Sequence, residues 1–174
     1  IFDATTGDPG SYRFEKMISG AYLGGLGLVV LQEAARDGLL SATAAAGVLA
    51  LSELSNKELD DFCHNPFDTG SALGKLTLTA DDRRMIMALG TPLYTRAALF
   101  AAVNIAAAAV KTQAGRDPLH PVAITIDGST YYRTLTASLR SRVEESLRRI
   151  LGGHGVHYQL LHVDEAPLIG AAVA

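Results

Sequence analysis

Asp8-Pro9-Gly10-Ser11-Tyr12-Arg13-Phe14-Glu15-Lys16-Met17-Ile18-Ser19-Gly20-Ala21-Tyr22-Leu23-Gly24 joins a Pro-Gly turn to a long helical pattern. Ser11 reads as the N-cap, and Phe14, Met17, Ile18, Tyr22 and Leu26 recur at helical spacing on overlapping apolar faces. Glu15 falls in the first turn, where the helix dipole favours a carboxylate. Gly20, Gly24, Gly25 and Gly27 each cost about 1 kcal/mol of helix propensity against alanine. So many in one helix imply close approach of its backbone to a neighbour or a ligand. Gly38 supplies the stop.

Downstream, residues 41–51 are Ala-rich and helix-prone, and a short helix is expected near 56–63, ended by Asn65-Pro66. Residues 67–79 read as a loop. Thr79-Ala80-Asp81-Asp82 opens a capped helix, and Pro92 predicts a separate helix over about 91–113. At Pro121 the pattern changes. Val122-Ala123-Ile124-Thr125-Ile126 is a β-branched run, and Asp127-Gly128 followed by Thr130-Tyr131-Tyr132 predicts a hairpin. A helix over 137–151, a strand over 156–163 and a last helix from 166 complete the reading. With no internal repeat and no linker, no domain boundary is expected.

The 174 residues are 48% hydrophobic and 19% charged, which excludes a disordered chain and fits a buried α/β core. A net charge of -3 argues against a nucleic-acid binder, which needs excess Lys and Arg to displace counterions. A lone cysteine, Cys63, excludes an intrachain disulfide framework. The uncharged stretches 17–32 and 97–110 are shorter than the ~20 apolar residues that span a bilayer, so they read as helices inside a protein and no membrane partner is expected. The start at Ile1 without methionine, and the lack of a signal-peptide pattern, lead to the expectation of a piece of a longer, cytoplasmic protein.

Several familiar patterns fail. Gly70-Ser71-Ala72-Leu73-Gly74-Lys75 has three residues between its glycines, lacks Ser or Thr after the lysine, and follows no strand, so it is not a phosphate loop. Gly25-Leu26-Gly27 lies mid-helix and lacks the third glycine of a dinucleotide fingerprint. His154, His157 and His162 sit around a predicted strand, with 157 and 162 on opposite faces, and read as surface or packed histidines; His64 has no metal partners at ligand spacing, so no metal site is expected.

Three stretches together resemble the hexokinase family. Residues 8–24 are similar to its Asn-Pro-Gly loop and Phe-Glu-Lys-Met-Ile-Ser-Gly-x-Tyr-Leu-Gly helix. Ile124-Thr125-Ile126-Asp127-Gly128-Ser129-Thr130-Tyr131 is similar to its strand-Asp-Gly-Ser/Thr-x-Tyr hairpin. Residues 155–174, with Leu168-Ile169-Gly170-Ala171-Ala172, resemble the ending of bacterial members. The resemblance implies an actin-like ATPase fold, two RNase H-like halves flanking a cleft. This chain would be a helix-rich α/β piece with a partial sheet, the C-terminal part of the large lobe. The family's first phosphate loop, its catalytic aspartate and its small lobe are then expected outside the chain, leaving no catalytic residue on it and no activity for the piece alone.

What the resemblance implies for function is ATP-dependent transfer of a phosphoryl group to the 6-hydroxyl of a glucose-like hexose, the first step of glycolysis, with Mg²⁺ bound by the complete enzyme. Glu15 matches the sugar-binding glutamate; a carboxylate accepts two hydroxyl hydrogen bonds at once and so fixes a hexose's orientation. Gly20, Asn56, Asp127, Gly128, Ser129 and Gly170 match positions near the nucleotide. Tyr12 stands where many members carry glutamine, and Ala21 replaces a lysine of some animal members. These departures motivate the alternative of a non-catalytic sugar or nucleotide sensor on the same fold. The partners implied are the hexose and the remainder of the enzyme. Sheet edges and helices bared in the isolated piece are expected to promote association.

Overall fold

Where the sequence reads as one helix, the chain forms two. In the computed structural model, α1 (Arg13–Ile18) follows a left-handed Tyr12, at φ 52°, and α2 (Gly20–Arg36) follows an extended Ser19 whose hydroxyl accepts from the Ala21 amide. Ser11 therefore does not cap the helix as expected. The chain turns at Tyr12 instead, so that Lys16 can reach back to the preceding loop. The structure describes residues 1–136, 139–163 and 166–173, with side chains of the last stretch only at 166, 168, 171 and 172.

The chain forms two compact units, Ile1–Ala97 with Thr134–Ser138, and Ala98–Arg133 with Leu139–Ala174. The first holds a 3-10 turn (Phe2–Thr5), α1, α2, α3 (Ala42–Ala50), α4 (Asn56–His64) and the first part of α5 (Ala80–Thr112). Its core is Leu23, Leu31, Val48, Leu59, Phe62, Leu73, Ile86 and Tyr94, all essentially fully buried. α2 stops at Gly38, φ +74°, where the amides of Gly38 and Leu39 return to the carbonyls of Ala35 and Ala34. That pattern satisfies the last carbonyls and needs a residue tolerant of positive φ.

Gly24 explains the glycine-rich helix. A Cβ there would lie 2.3 Å from the Leu54 carbonyl oxygen and 2.4 Å from the Asn56 nitrogen, so α2 meets the start of α4 backbone to backbone. α4 begins with a full capping box: the Ser55 hydroxyl accepts from the Glu58 amide, and the Glu58 carboxylate accepts from the Ser55 amide.

Pro92 does not start a new helix; α5 runs through it. Proline removes one donor from the helix interior, at a cost of about 3 kcal/mol. Burial of Leu93, Tyr94, Ala97 and Ala98 just beyond it offsets that cost. Among the described helices, α5 alone is long and apolar enough to cross a membrane by length and composition.

The second unit contains β1 (Val122–Thr125), α6 (Ser129–Arg133), α7 (Leu139–Gly153), β2 (Tyr158–Leu161) and α8 (Ala166–Val173). β1 and β2 pair in parallel, Val122 opposite Tyr158 and Thr125 opposite Leu161. The predicted hairpin is absent. Residues 130–132 are helical, with the amides of Tyr131 and Tyr132 directed back to the Gly128 carbonyl. The partner of β1 is the distant strand, reached across α6 and α7, and the Asp-Gly pair serves as a strand-to-helix turn. α7 lays Leu139, Val143, Leu147 and Leu151 on its buried side. That spacing of four residues follows from its sequence.

Asp82 ties two helix starts together. Its carboxylate accepts from the amide and hydroxyl of Thr79, which caps α5, and from the amide and hydroxyl of Ser41, which caps α3. Burial alone would push this carboxyl up; the four donors outweigh it and hold it well below the usual carboxylate range. The folded state therefore binds this proton less tightly than the unfolded chain. The stabilisation is fully present above the ordinary Asp value of about 3.9 and is lost as pH falls through the folded value. Asp82→Asn is expected to lower the unfolding free energy by about 2 kcal/mol at pH 7. It should also make stability fall less steeply between pH 4 and pH 2, as urea denaturation at a series of pH values will show.

Candidate functional site

Lys16 and Glu15 are neighbours in α1, about 100° apart around the helix, and Lys16 is buried while Glu15 is exposed. Lys16 is 3% exposed. Its ammonium donates to the Asp3 carboxylate at 2.6 Å and to the Asp8 carbonyl at 2.6 Å. Asp3 also accepts from the Gly10 amide at 2.7 Å. The hydrogen bond from Lys16, then that from Gly10, hold the Asp3 carboxyl below its ordinary value. One buried cation thus closes the Asp8–Ser11 turn against α1. Glu15 is left exposed, its backbone carbonyl taken by the Ser19 amide. Lys16 is a buried structural charge.

Gly20 begins α2, and Asn56 begins α4 where Gly24 brings the two helices together. The Asn56 side-chain oxygen and its backbone carbonyl both accept from the Tyr94 hydroxyl, at 3.0 and 3.1 Å. The ring of Tyr94 is fully buried, so this hydroxyl fixes Asn56 from within the core. Burial, and then the nearby Asp60, raise the Tyr94 hydroxyl far above its ordinary value, so it stays a donor. One turn further along α4, the buried Asp60 carboxylate accepts from the amides of Leu135 and Thr136, each at 2.7 Å. Cys63 is buried, and desolvation, then Asp60, push its thiol up to about 12; it remains a neutral thiol.

In the second unit, Asp127, Gly128 and Ser129 follow β1 and are all exposed. The Asp127 carboxylate accepts from the Gly128 amide at 2.7 Å. Gly128 has φ +126°, a conformation L side chains rarely adopt, and nothing lies within 4 Å of where its Cβ would be. The backbone is therefore open to close approach, with the Ser129 hydroxyl beside it. Tyr132 donates to the Ile126 carbonyl at 3.0 Å and stacks obliquely on His162 with ring centroids 4.5 Å apart. Gly170 lies within α8; its surroundings fall outside the described residues.

The candidate residues thus form two sets: Glu15, Gly20 and Asn56 in the first unit, Asp127, Gly128 and Ser129 with Gly170 in the second. Sequence reasoning missed the Lys16–Asp3 pair and the Asn56–Tyr94 bond. Their members stand 13 and 38 residues apart, beyond any local pattern. The stretch 70–75, rejected as a phosphate loop, is a turn held by the Ser71 hydroxyl accepting from the Gly74 amide.

A hexokinase family model matches residues 1–174. Over 131 residues the chain is 34% identical to the protein named Glucokinase-1 of Kluyveromyces lactis, covering 70% of this chain and 27% of that protein. It is 32% identical over 182 residues to "Putative glucokinase-2" of Saccharomyces cerevisiae, covering 95% of this chain and 36% of that protein. The chain therefore spans about a third of the length of the curated relatives it matches.

Lys16→Met keeps the length of the side chain and removes the charge that closes the turn. It is expected to lower the unfolding free energy by about 2 kcal/mol, read from the urea midpoint. It should also raise the protease sensitivity of residues 6–12.

Proposed function

Because the chain belongs to the hexokinase family, we propose that it is the C-terminal part of the large lobe of an ATP-dependent hexose kinase with an actin-like fold. Glu15 carries the reading. It is an exposed carboxylate on the first turn of α1, inside the 8–24 run and backed by a buried Lys16 that locks the adjoining turn. Such a carboxylate accepts from two adjacent sugar hydroxyls at once, and a fixed backbone turns that contact into orientation of the sugar.

The exposed Asp127-Gly128-Ser129 turn fits a nucleotide. Gly128 leaves open space above its backbone, and Ser129 and the neighbouring amides are donors for phosphate or ribose oxygens. ATP, bound with Mg²⁺, supplies the phosphoryl group that passes to the sugar 6-hydroxyl. No residue of this chain is proposed as the base. What these residues contribute is placement: Glu15 holds the sugar, and the turn after β1 holds the nucleotide. A cytoplasmic location belongs to the same proposal.

The test is glucose-dependent ADP release by the longer protein that contains this chain. Wild type is expected to turn over, and Glu15→Ala to lose at least about a hundredfold in kcat/KM while remaining folded. The 174-residue chain alone is expected to show no glucose-dependent turnover. A folded longer protein that releases no ADP with any of several hexoses would favour a sensor. An unimpaired Glu15→Ala enzyme would remove Glu15 from the sugar site.

A further inference from the structure

The turn Asp127–Ser129 has little of its own to hold it. Its three residues are exposed, and a Cβ at Gly128 would meet nothing within 4 Å. It runs straight into α6, which has five residues, well short of the ~12 at which an isolated helix is even marginal in water. Whatever fixes α6 therefore fixes the turn. Two adjacent tyrosines of α6 do so. The Tyr132 hydroxyl donates to the Ile126 carbonyl at 3.0 Å, bridging the turn from one end to the other. The Tyr131 hydroxyl donates to the Glu144 carboxylate of α7 at 3.0 Å. The two rings meet edge to face with centroids 4.8 Å apart, so they are packed together.

These contacts converge on Glu144. The oxygen that accepts from Tyr131 also accepts from Nε of Arg140, one turn back on α7, at 2.8 Å. The Arg140 guanidinium lies 5.9 Å from the centre of the Tyr132 ring, within cation–π range. The bond from Arg140, joined by that from Tyr131, outweighs partial burial and holds the Glu144 carboxyl below its ordinary value. Burial, and then the bond to Glu144, raise the Tyr131 hydroxyl far above its own, so it stays a donor. The bond between them is thus of the charge-assisted kind. α7 is anchored in turn by the buried Leu139, Val143, Leu147 and Leu151. We propose that Glu144 is a positioning residue for the nucleotide: through Tyr131 it sets the place of the Asp127–Ser129 turn without touching the ligand. The proposal rests on the reading that this turn holds ATP. Tyr132 is also held by Ile126 and by His162, so loss of Glu144 loosens the turn rather than abolishing it.

Titration calorimetry of the longer protein with ATP and Mg²⁺, and separately with glucose, tests this without relying on turnover. Glu144→Ala and Tyr131→Phe should each weaken ATP about tenfold and leave glucose within about twofold. The double variant should be no weaker than either single one, because both remove the same bond. Glu144→Gln keeps an oxygen that accepts from Tyr131, and should hold ATP within about threefold of wild type. In the same protein, Glu144→Ala should speed hydrogen exchange of the Tyr131 and Tyr132 amides, which are bonded to the Gly128 carbonyl. Gly128→Ala, which strains the turn itself, should weaken ATP as well. If Gly128→Ala weakens ATP while Glu144→Ala and Tyr131→Phe do not, the turn holds the nucleotide and the proposal for Glu144 is overturned. If the wild type binds no ATP, or none of these variants weakens it, the reading of the turn falls and takes the proposal with it. A Glu144→Ala protein that loses glucose and ATP alike, with no rescue by glutamine, would also overturn it, leaving Glu144 as a general support of the fold.

Discussion

α4 lies in a slot made by missing side chains. On one flank, Gly24 and Gly27 of α2 leave no Cβ, and one at Gly27 would lie 2.4 Å from the Leu59 side chain. On the other, a Cβ at Gly90 of α5 would lie 2.6 Å from the Cys63 sulfur. The rest of the first unit depends on this close approach. It brings Tyr94 within reach of Asn56, and it buries Leu59, Phe62 and Cys63 completely or nearly so. The propensity lost by placing glycines inside helices, about 1 kcal/mol each, is small beside the several kcal/mol contributed by a few fully buried large side chains.

Three buried charged groups then fix the loops that a helix-only core would leave loose. Lys16 closes the Asp8–Ser11 turn, Asp82 joins the starts of α3 and α5, and Asp60 grips the backbone at Leu135 and Thr136. Each is satisfied by several partners, which is the condition for a buried charge to stabilise. Their common effect is to immobilise backbone on either side of a helix start. Placement matters most there for Glu15, whose one proposed task is to hold a flexible, hydroxyl-rich ligand in a single orientation.

Local signals survived where the structure also answers locally. The Gly38 stop, the Thr79 cap and the short helix near 56–63 are each self-contained within a few residues. The misread elements are those whose outcome is set at a distance. Asp127-Gly128 has the composition of a hairpin, but β1 pairs with a strand more than thirty residues on, so Thr130–Tyr132 is free to wind into α6. Pro92 reads as a helix start, but the buried side chains beyond it carry α5 through. Of the candidate site, Glu15 and the Asp127–Ser129 turn were legible from contiguous motifs. The pairings that hold Glu15's turn and Asn56 in place were not, because Asp3 and Tyr94 offer no pattern that names their partners.

The central claim is that the start of α1, with Glu15 facing outward, receives a hexose. Hydrogen exchange of the longer protein with and without glucose tests it without relying on catalysis. Glucose should slow exchange of the amides over residues 8–19, and Glu15→Ala should abolish that protection while exchange in α4 and α5 stays at the wild-type rate. Glucose-dependent protection elsewhere, with residues 8–19 unchanged, would contradict the account.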